Sequence, residues 1–156
     1  MEEKTSDRKN SLRLQSFDYS APHCSFVTIV AHERQKFFDD KRIAEATIKC
    51  LLDLREKYHF KLYCFCLMPD HLHALIGIGE SGLTLSRICG DFKSLSTKVF
   101  WQFYEGKLWQ RQFFDHIIRN EDDFCETVKY IRLNPVRKKL VIDWKDWQFA
   151  GEPDLK

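Results

Sequence analysis

Two histidines in the stretch MPDHLHALIGI (68–78) have the residue type and the spacing of ligands in a metal site. In a β-strand, alternate residues point to the same side, so His71 and His73 project together while Leu72 faces away. Neutral imidazoles on one face of a strand can occupy two positions of a divalent metal ion. A histidine pair on a surface strand has the same pattern, so a metal site requires at least one more ligand.

A later stretch, KYIRLNP (129–135), supplies a third ligand and a candidate nucleophile. Tyr130 and Asn134 lie four residues apart, so in a helix they share one face, one turn from each other. The carbonyl oxygen of Asn is an ordinary ligand for a hard cation. A phenol has a pKa of about 10, so a tyrosine attacks poorly at neutral pH unless it is activated. From the residues alone, a half-buried packing role for Tyr130 stays open.

Hydrophobic patterning in the first half of the chain predicts a strand, a helix and two more strands. Apolar residues recur at helical spacing over 43–58, behind the capping candidates Asp39 and Asp40. A tight turn at 68–70 joins the second and third strands into an antiparallel hairpin. The three strands are CSFVTIVA (24–31), FKLYCFCLM (60–68) and HLHALIGI (71–78).

The second half predicts a helix, a fourth strand and a further helix. The fourth strand is LWQRQFF (108–114). The last helix begins at Asn120 and stops near Asn134, because Pro135 disfavours helical geometry in the residue before it. The first of these helices ends at Gly106, and its core-facing residues are Leu85, Ile88, Phe92, Leu95, Val99 and Phe103.

The order βαββαβ followed by one more helix predicts an α+β fold of the ferredoxin-like type. In that fold an antiparallel sheet carries helices on one face, and the first and third strands are central. The histidine strand would therefore lie in the middle of the sheet. We expect a flexible N-terminal arm over 1–20 and one domain over 21–156.

Composition restricts the functional classes. The net charge is only +2, from 25 basic and 23 acidic residues, so the total does not indicate a nucleic-acid-binding protein. Five basic residues without an acidic one between Lys129 and Lys139 could still form a phosphate-binding surface. Six cysteines without a signal peptide predict free thiols in a reducing compartment, and no apolar run reaches the length of a membrane span. We therefore expect a cytoplasmic protein.

The stretches CLMPDHLHALI and KYIRLNPVRKKLV, joined by LWQRQFFDHIIRNEDDF, resemble the single-tyrosine HUH transposases, and in particular the REP-associated tyrosine transposases. The resemblance extends from about residue 24 to the tryptophans near 147. It implies that His71 and His73 are the metal ligands, that Tyr130 is the nucleophile, and that Asn134 completes the metal site.

The resemblance also implies a reaction and its partners. Such enzymes break and rejoin one strand of DNA beside hairpins, with Mg²⁺ or Mn²⁺ and through a 5′-phosphotyrosine. We expect single-stranded DNA with a REP-like hairpin as the substrate, no membrane partner, and a monomer or a homodimer. The candidate contacts to the DNA backbone are Lys93, Lys98, Arg111, Arg132, Arg137, Lys138 and Lys139.

The chain departs from the family pattern at two positions. Asp70 stands where the family commonly has Asn, and we expect it to cap the turn rather than to orient His71. Arg132 stands where the family often has His, which would bring a phosphate-binding guanidinium near the nucleophile. Asp115 and His116 match a stretch of the family, but the sequence assigns them no role.

Two alternative functions remain. Cys64 and Cys66 give the pattern C-x-C-x₄-H-x-H, which resembles a zinc set. A two-residue hairpin turn would pair Cys66 with His73, whereas a three-residue turn would place the cysteines on the opposite face. The second alternative is a DNA-hairpin-binding module without catalysis. Three tryptophans could stack unpaired bases, although packing of a chain end is the expected role: Trp109, Trp144 and Trp147.

Overall fold

The computed structural model describes residues 24–155, which form an antiparallel sheet and three α-helices. The predicted arm over 1–20 lies outside the described residues. The strands are β1 (Cys24–Val30), β2 (Lys61–Met68), β3 (His71–Gly77), β4 (Phe114–Ile117) and β5 (Ala150–Gly151). The helices are α1 (Lys41–Tyr58), α2 (Leu85–Phe100) and α3 (Glu121–Arg137).

The strand order is β4-β1-β3-β2-β5, and every pair of neighbours is antiparallel. The first four strands have the predicted ferredoxin-like order, with β1 and β3 in the centre. The histidine strand β3 is therefore paired on both sides, which fixes its backbone. On one of these sides, Thr28 of β1 lies opposite His73.

The sheet separates two apolar layers. On one face, α1 and α2 pack against alternate β3 residues such as Leu72 and Ala74. On the other face, α3 packs through Phe124 and Val128 against residues that include Leu75. Because side chains alternate along a strand, His71 and His73 share the face of Leu75. The third helix thus covers the histidine side of the sheet, opposite the first two helices.

The β2–β3 hairpin has the shorter of the two turns considered from the sequence. Only Pro69 and Asp70 form it, since Met68 pairs with His71. Cys66 consequently pairs with His73, and the cysteines lie on the histidine side of the sheet.

Asp40 caps α1 and Asn120 caps α3, as predicted, but the buried stripe of α2 differs from the prediction. Its core residues after Phe92 are Ser96 and Phe100, whereas Leu95 and Phe103 are largely exposed. Ser96 tolerates burial because its hydroxyl donates to the Phe92 carbonyl at 2.7 Å and accepts from the Trp109 indole at 2.8 Å. The helix ends at Phe100, earlier than predicted.

The predicted fourth strand was displaced. Residues 108–110 run past the end of β1 as a loop, in which Gln110 N–H donates to the Val30 carbonyl at 2.8 Å. Trp109 fills the core there and is only 5 % exposed. The regular ladder with β1 begins later, at Phe114. The apolar run in this segment therefore marks buried packing rather than the strand.

The α3 helix continues three residues beyond Asn134. Pro135 has no N–H to donate, yet Lys138 N–H still bonds to the Asn134 carbonyl at 3.1 Å and closes the last turn. The prediction that the helix stops near Asn134 was therefore wrong. Asn134 is 2 % exposed and in contact with His71, and this packing outweighs the local preference of a residue before proline.

The segment after α3 returns to the far edge of β2. The Trp147 indole donates to the Leu67 carbonyl at 3.1 Å, and the Leu67 N–H donates to the Phe149 carbonyl at 2.8 Å. These contacts support chain-end packing for Trp147. None of the helices formed by residues 24–155 is long and apolar enough to cross a bilayer.

Candidate active site

The two histidines meet through their Nε2 atoms, which lie 3.1 Å apart. Both side chains are buried, under α3 and in the centre of the sheet. Their rings are nearly perpendicular, with centroids 4.5 Å apart. This arrangement directs two nitrogens toward one small volume.

The Nδ1 atoms are each held by a polar neighbour. The Asp70 carboxylate lies 2.6 Å from Nδ1 of His71. A carboxylate only accepts, so Nδ1 carries the proton and Nε2 keeps its lone pair. The Thr28 hydroxyl lies 2.9 Å from Nδ1 of His73, and a hydroxyl serves as donor or acceptor. Asp70 therefore orients His71, whereas the sequence had favoured turn capping.

Asn134 approaches the same point from α3. Its amide nitrogen lies 3.2 Å from Nε2 of His71, and a half-turn of the amide would place Oδ1 there. Two ligand atoms held at a right angle by bonds of about 2.1 Å lie about 3.0 Å apart. The observed 3.1 Å between the imidazole nitrogens fits that spacing. The donor set of two imidazoles and one amide suits a divalent cation, including Mn²⁺ and Mg²⁺.

Burial keeps His73 in the neutral form that binds metals. Its pKa falls from 6.5 to about 3, first because burial disfavours the charged ring, and then because His71 and Arg137 are close. The nearby Asp70 opposes this change only in part. His73 is therefore unprotonated at neutral pH.

Tyr130 stands at the mouth of this cluster and is 46 % exposed. Its ring centroid lies 5.6 Å from that of His73 and 5.8 Å from that of Phe26, with both rings edge-on. It lies one helical turn before Asn134, as its spacing predicted. The hydroxyl-bearing side chain is thus beside the imidazoles and accessible to a large substrate.

Arg137 adds a positive charge to the site. Its guanidinium carbon lies 4.0 Å from the Tyr130 ring centroid. The same side chain donates to the Tyr130 carbonyl at 2.7 Å and, with the amide nitrogen of Asn134 toward His71, to Asn134 Oδ1 at 3.4 Å. The half-turn that brings Oδ1 to His71 would break this second contact. Arg137 was predicted as a DNA-backbone contact, and its position would also brace the tyrosine.

The cysteines of the zinc alternative share the face of the histidines but do not gather with them. Within residues 24–155, no three His, Cys, Asp or Glu side chains form a group that could hold a metal ion. The Cys66 thiol faces the Met68 sulfur at 3.7 Å, and burial raises its pKa to about 12. Burial also raises the pKa of Cys64. Thiols that stay protonated are poor metal ligands.

The other predicted DNA contacts fall into two groups. Lys93, Lys98 and Arg111 line a groove of about 640 Å³ between α2 and the loop before β4. Of these, Lys93 donates hydrogen bonds to the carbonyls of Gln110 and Arg111, at 2.6 and 2.8 Å. The described residues that line this groove also include His32, Lys107 and the exposed Trp101. None of these described lining residues is acidic.

The second group lies at and beyond the end of α3. Lys138 and Lys139 are exposed there, directly after Arg137. Arg132 is instead held by Glu152 at 2.5 and 2.9 Å and stacks on Trp144, with its guanidinium carbon 4.6 Å from the ring centroid. Residues two apart on a helix do not share a face, so Arg132 and Tyr130 point apart.

The sequence profile of the family described as "Transposase IS200 like" matches residues 21–134. That range covers more than half of the 156 residues. The chain belongs to the IS200-like transposase family. His71, His73, Tyr130 and Asn134 lie within the matched range, which ends at Asn134.

Other transposases are similar to this IS200-like transposase in sequence or in structure. A Haemophilus influenzae protein, provisionally named a REP-associated tyrosine transposase, is 27% identical over an alignment of 166 positions, which covers 89% of this chain and 94% of the relative. The Escherichia coli K12 REP-associated tyrosine transposase is 27% identical over an alignment of 104 positions, which covers 64% of this chain and 59% of that protein. Among solved structures, a REP-associated tyrosine transposase bound to a REP hairpin has a TM-score of 0.70 at 21% identity, covering 88% of this chain and 81% of that one. This structural likeness shows a shared fold.

Sequence reasoning missed the neighbours that hold the site in place. Thr28 and Phe26 contact His73 from β1, and neither stands in a motif. Their positions alternate along the strand, so a known β1–β3 register would have placed both beside the histidines. The sequence alone does not give that register.

Proposed function

We propose that this IS200-like transposase is a metal-dependent enzyme that nicks single-stranded DNA and transfers the cut strand. The observation that carries the proposal is the convergence of His71, His73 and Asn134 on one point, with Tyr130 one helical turn from Asn134. A divalent cation held by these three residues would neutralise charge on the scissile phosphate and polarise its P–O bonds.

The reaction consists of two displacements at phosphorus. The Tyr130 phenolate oxygen attacks the phosphorus atom, and the bond to the 3′-oxygen breaks. The phenol loses its proton to solvent, and the leaving oxygen takes up a proton as a free 3′-hydroxyl. Strand transfer reverses these events, because a 3′-hydroxyl attacks the 5′-phosphotyrosine and releases the tyrosine. The bond energy is conserved, so no nucleotide cofactor is required.

The other residues of the site would orient the reacting groups. Asp70 and Thr28 set the directions of the imidazoles, and Arg137 stacks on the Tyr130 ring, where its charge favours an approaching phosphate. The basic groove beside α2 would contact the DNA backbone. The hairpin in the solved structure of the similar transposase supports a hairpin-bearing substrate here.

A covalent-trapping assay tests the proposal, with the DNA labelled either at its 3′ end or at its 5′ end. The protein is incubated with single-stranded hairpin oligonucleotides and Mn²⁺ or Mg²⁺, and denaturing gels resolve the products. A label at the 3′ end should migrate with the protein, whereas a label at the 5′ end should appear on a shortened strand with a 3′-hydroxyl. EDTA should abolish both products.

Matched variants assign the roles. Tyr130→Phe should give no adduct but still bind DNA, while the control Tyr104→Phe changes an exposed tyrosine of another surface and should form adduct at the unmodified rate. His71→Ala should lose the metal-dependent product. Hairpin binding without any adduct from the unmodified chain would favour the non-catalytic module instead.

A further inference from the structure

Phe114 is an exposed aromatic residue on the sheet, and the proposed mechanism does not use it. It begins β4, at the edge of the sheet formed by the described residues, and is 61 % exposed. A phenylalanine on a strand usually packs against its neighbours, so this exposed ring is a candidate contact residue only if its surroundings point to a ligand.

The sheet register places Phe114 on the face of the metal-ligand histidines. Phe114 pairs with Thr28, and Thr28 pairs with His73 on its other side. Residues directly opposite one another on neighbouring strands project to the same face. Two strand spacings separate Phe114 from His73, about 10 Å along the sheet. That distance is within the reach of a neighbouring nucleotide.

The β4 segment is held at both ends. Before the strand, the Lys93 ammonium donates to the carbonyls of Gln110 and Arg111. Within the strand, the His116 ring bonds to the Asp123 carboxylate of α3 at 2.9 and 3.1 Å. A stacking residue on a fixed backbone loses little conformational entropy when a base binds, so the segment is pre-organised for that contact.

The surroundings of Phe114 favour a nucleic acid over other occupants. Arg111, three residues earlier, lines the basic groove, so the segment joins this groove to the active-site face. A strand whose backbone follows the groove would arrive at the site past Phe114. A ring with an open face beside cationic groups is the arrangement that single-stranded DNA uses for stacking.

We propose that Phe114 stacks on an unpaired base next to the scissile phosphate and so positions the strand for attack by Tyr130. This inference rests on the proposed function. It assigns to the β4 edge a binding role that is separate from the metal and the nucleophile.

The test is binding of fluorescent single-stranded hairpin oligonucleotides, measured by anisotropy with EDTA present. Phe114→Ala should weaken binding between about 5-fold and 100-fold, and Phe114→Trp should restore it, because stacking depends on the ring. The matched control is Ile117→Ala, which changes an exposed apolar residue of the same strand on the opposite face and should bind as tightly as the unmodified chain.

A set of oligonucleotides with one abasic position each locates the stacked base. At one position beside the cleavage site, loss of the base should weaken binding by the unmodified chain and should not weaken it further in Phe114→Ala. If Phe114→Ala binds like Ile117→Ala while the unmodified chain still forms the tyrosine adduct, the stacking role is wrong and the proposed function stands.

Two other results would also overturn the inference. Sedimentation that shows concentration-dependent association, lost in both Phe114→Ala and Ile117→Ala, would assign the edge to a second copy of the chain. Failure of the unmodified chain to bind DNA and to form an adduct would contradict the stacking role and the proposed function together.

Discussion

At the scale of single residues, the orientation of the imidazoles depends on groups outside the donor set. Asp70 fixes the proton of His71 on Nδ1, and Thr28 accommodates either tautomer of His73. On the proposed function, the imidazoles would present Nε2 lone pairs to a cation without rotation of the rings. The cost of losing such an orienting contact appears in metal affinity rather than in folding.

Removal of the Asp70 carboxylate should weaken metal binding. Asp70→Ala is expected to lower Mn²⁺ affinity about 10- to 100-fold, because His71 loses the acceptor that holds its ring and tautomer. Asp70→Asn should lose less, since the amide oxygen still accepts. Titration calorimetry measures the Mn²⁺ affinity of both variants. The control is Asp53→Ala, which removes an exposed carboxylate that is paired with Lys49. Equal affinity of Asp70→Ala and Asp53→Ala would contradict the orienting role.

The metal-free protein should lose stability in acid because of His73. Its pKa is about 3 when folded and 6.5 as a free side chain, so between these values only the unfolded chain binds the proton. The free energy of unfolding then falls by up to about 1.4 kcal/mol for each pH unit below 6.5. From pH 7 to pH 5 we expect a loss of about 2 kcal/mol from this residue.

Urea unfolding with EDTA at pH 7 and pH 5 measures the effect. His73→Gln keeps a polar side chain but cannot take up the proton, so its loss of stability over the same interval should be smaller. A variant that loses as much stability as the unmodified chain would show that other groups cause the acid sensitivity.

Much of the site geometry at the residue scale could be predicted from spacing. Alternation put His71 and His73 on one face, and the four-residue interval put Tyr130 above Asn134. The role of Arg132 was not predictable, because its partner Glu152 is distant in sequence and no pattern joins the two. The ion pair instead fixes the segment that follows α3.

At the scale of elements, the segment after α3 is tied to the rest of the sheet by Asp154. Its carboxylate accepts from Arg55 at 2.6 and 2.7 Å and from Leu62 N–H at 2.7 Å. Burial alone would raise the pKa of Asp154, but these hydrogen bonds outweigh burial and lower it. One side chain thus links α1, β2 and the terminal segment.

Asp154→Asn should destabilise the fold by about 2 kcal/mol, since it leaves the Arg55 charge and the Leu62 donor poorly paired. Asp53→Asn breaks an exposed i,i+4 pair with Lys49 and should leave stability nearly unchanged. Chemical denaturation compares the two. A similar small change in both variants would mean that the terminal segment adds little to stability.

Element boundaries were predicted where local signals determine them and missed where packing does. Asn120 caps α3 as its sequence indicated, since its side chain accepts from Asp123 N–H at 2.9 Å. The apolar run over 108–114 was predicted as a strand, yet Trp109 is buried in the core and pairing with β1 begins at Phe114. The spacing of apolar residues alone does not distinguish a buried loop from a strand.

At the scale of the molecule, distribution matters more than the net charge of +2. The groove beside α2 and the end of α3 concentrate basic side chains, while acidic residues lie elsewhere or are paired. Such local concentration allows a nearly neutral protein to attract a polyanion.

DNA binding should therefore weaken with salt, and single substitutions should alter the slope. For single strands, each phosphate contact contributes about −0.7 to the slope of log affinity against log salt. Lys98→Ala and Arg111→Ala should each reduce the slope by about that amount, whereas Lys49→Ala on α1 should not. Anisotropy titrations in increasing KCl measure the slopes, and an unchanged slope for both groove variants would exclude the groove from the DNA path.

The separation of the ligands along the chain has a consequence for biosynthesis. His71 and Asn134 touch although they are 63 positions apart, whereas most of the basic groove comes from residues 93–111. Contacts between distant segments form late, because loop closure must come before the contacts that stabilise it. On the proposed function, a growing chain would complete the groove proposed to hold DNA before the residues proposed to cut it. A translation product that stops before α3 would lack Tyr130, the proposed nucleophile, so incomplete synthesis would yield a fragment that keeps the basic groove but cannot cut DNA by the proposed reaction.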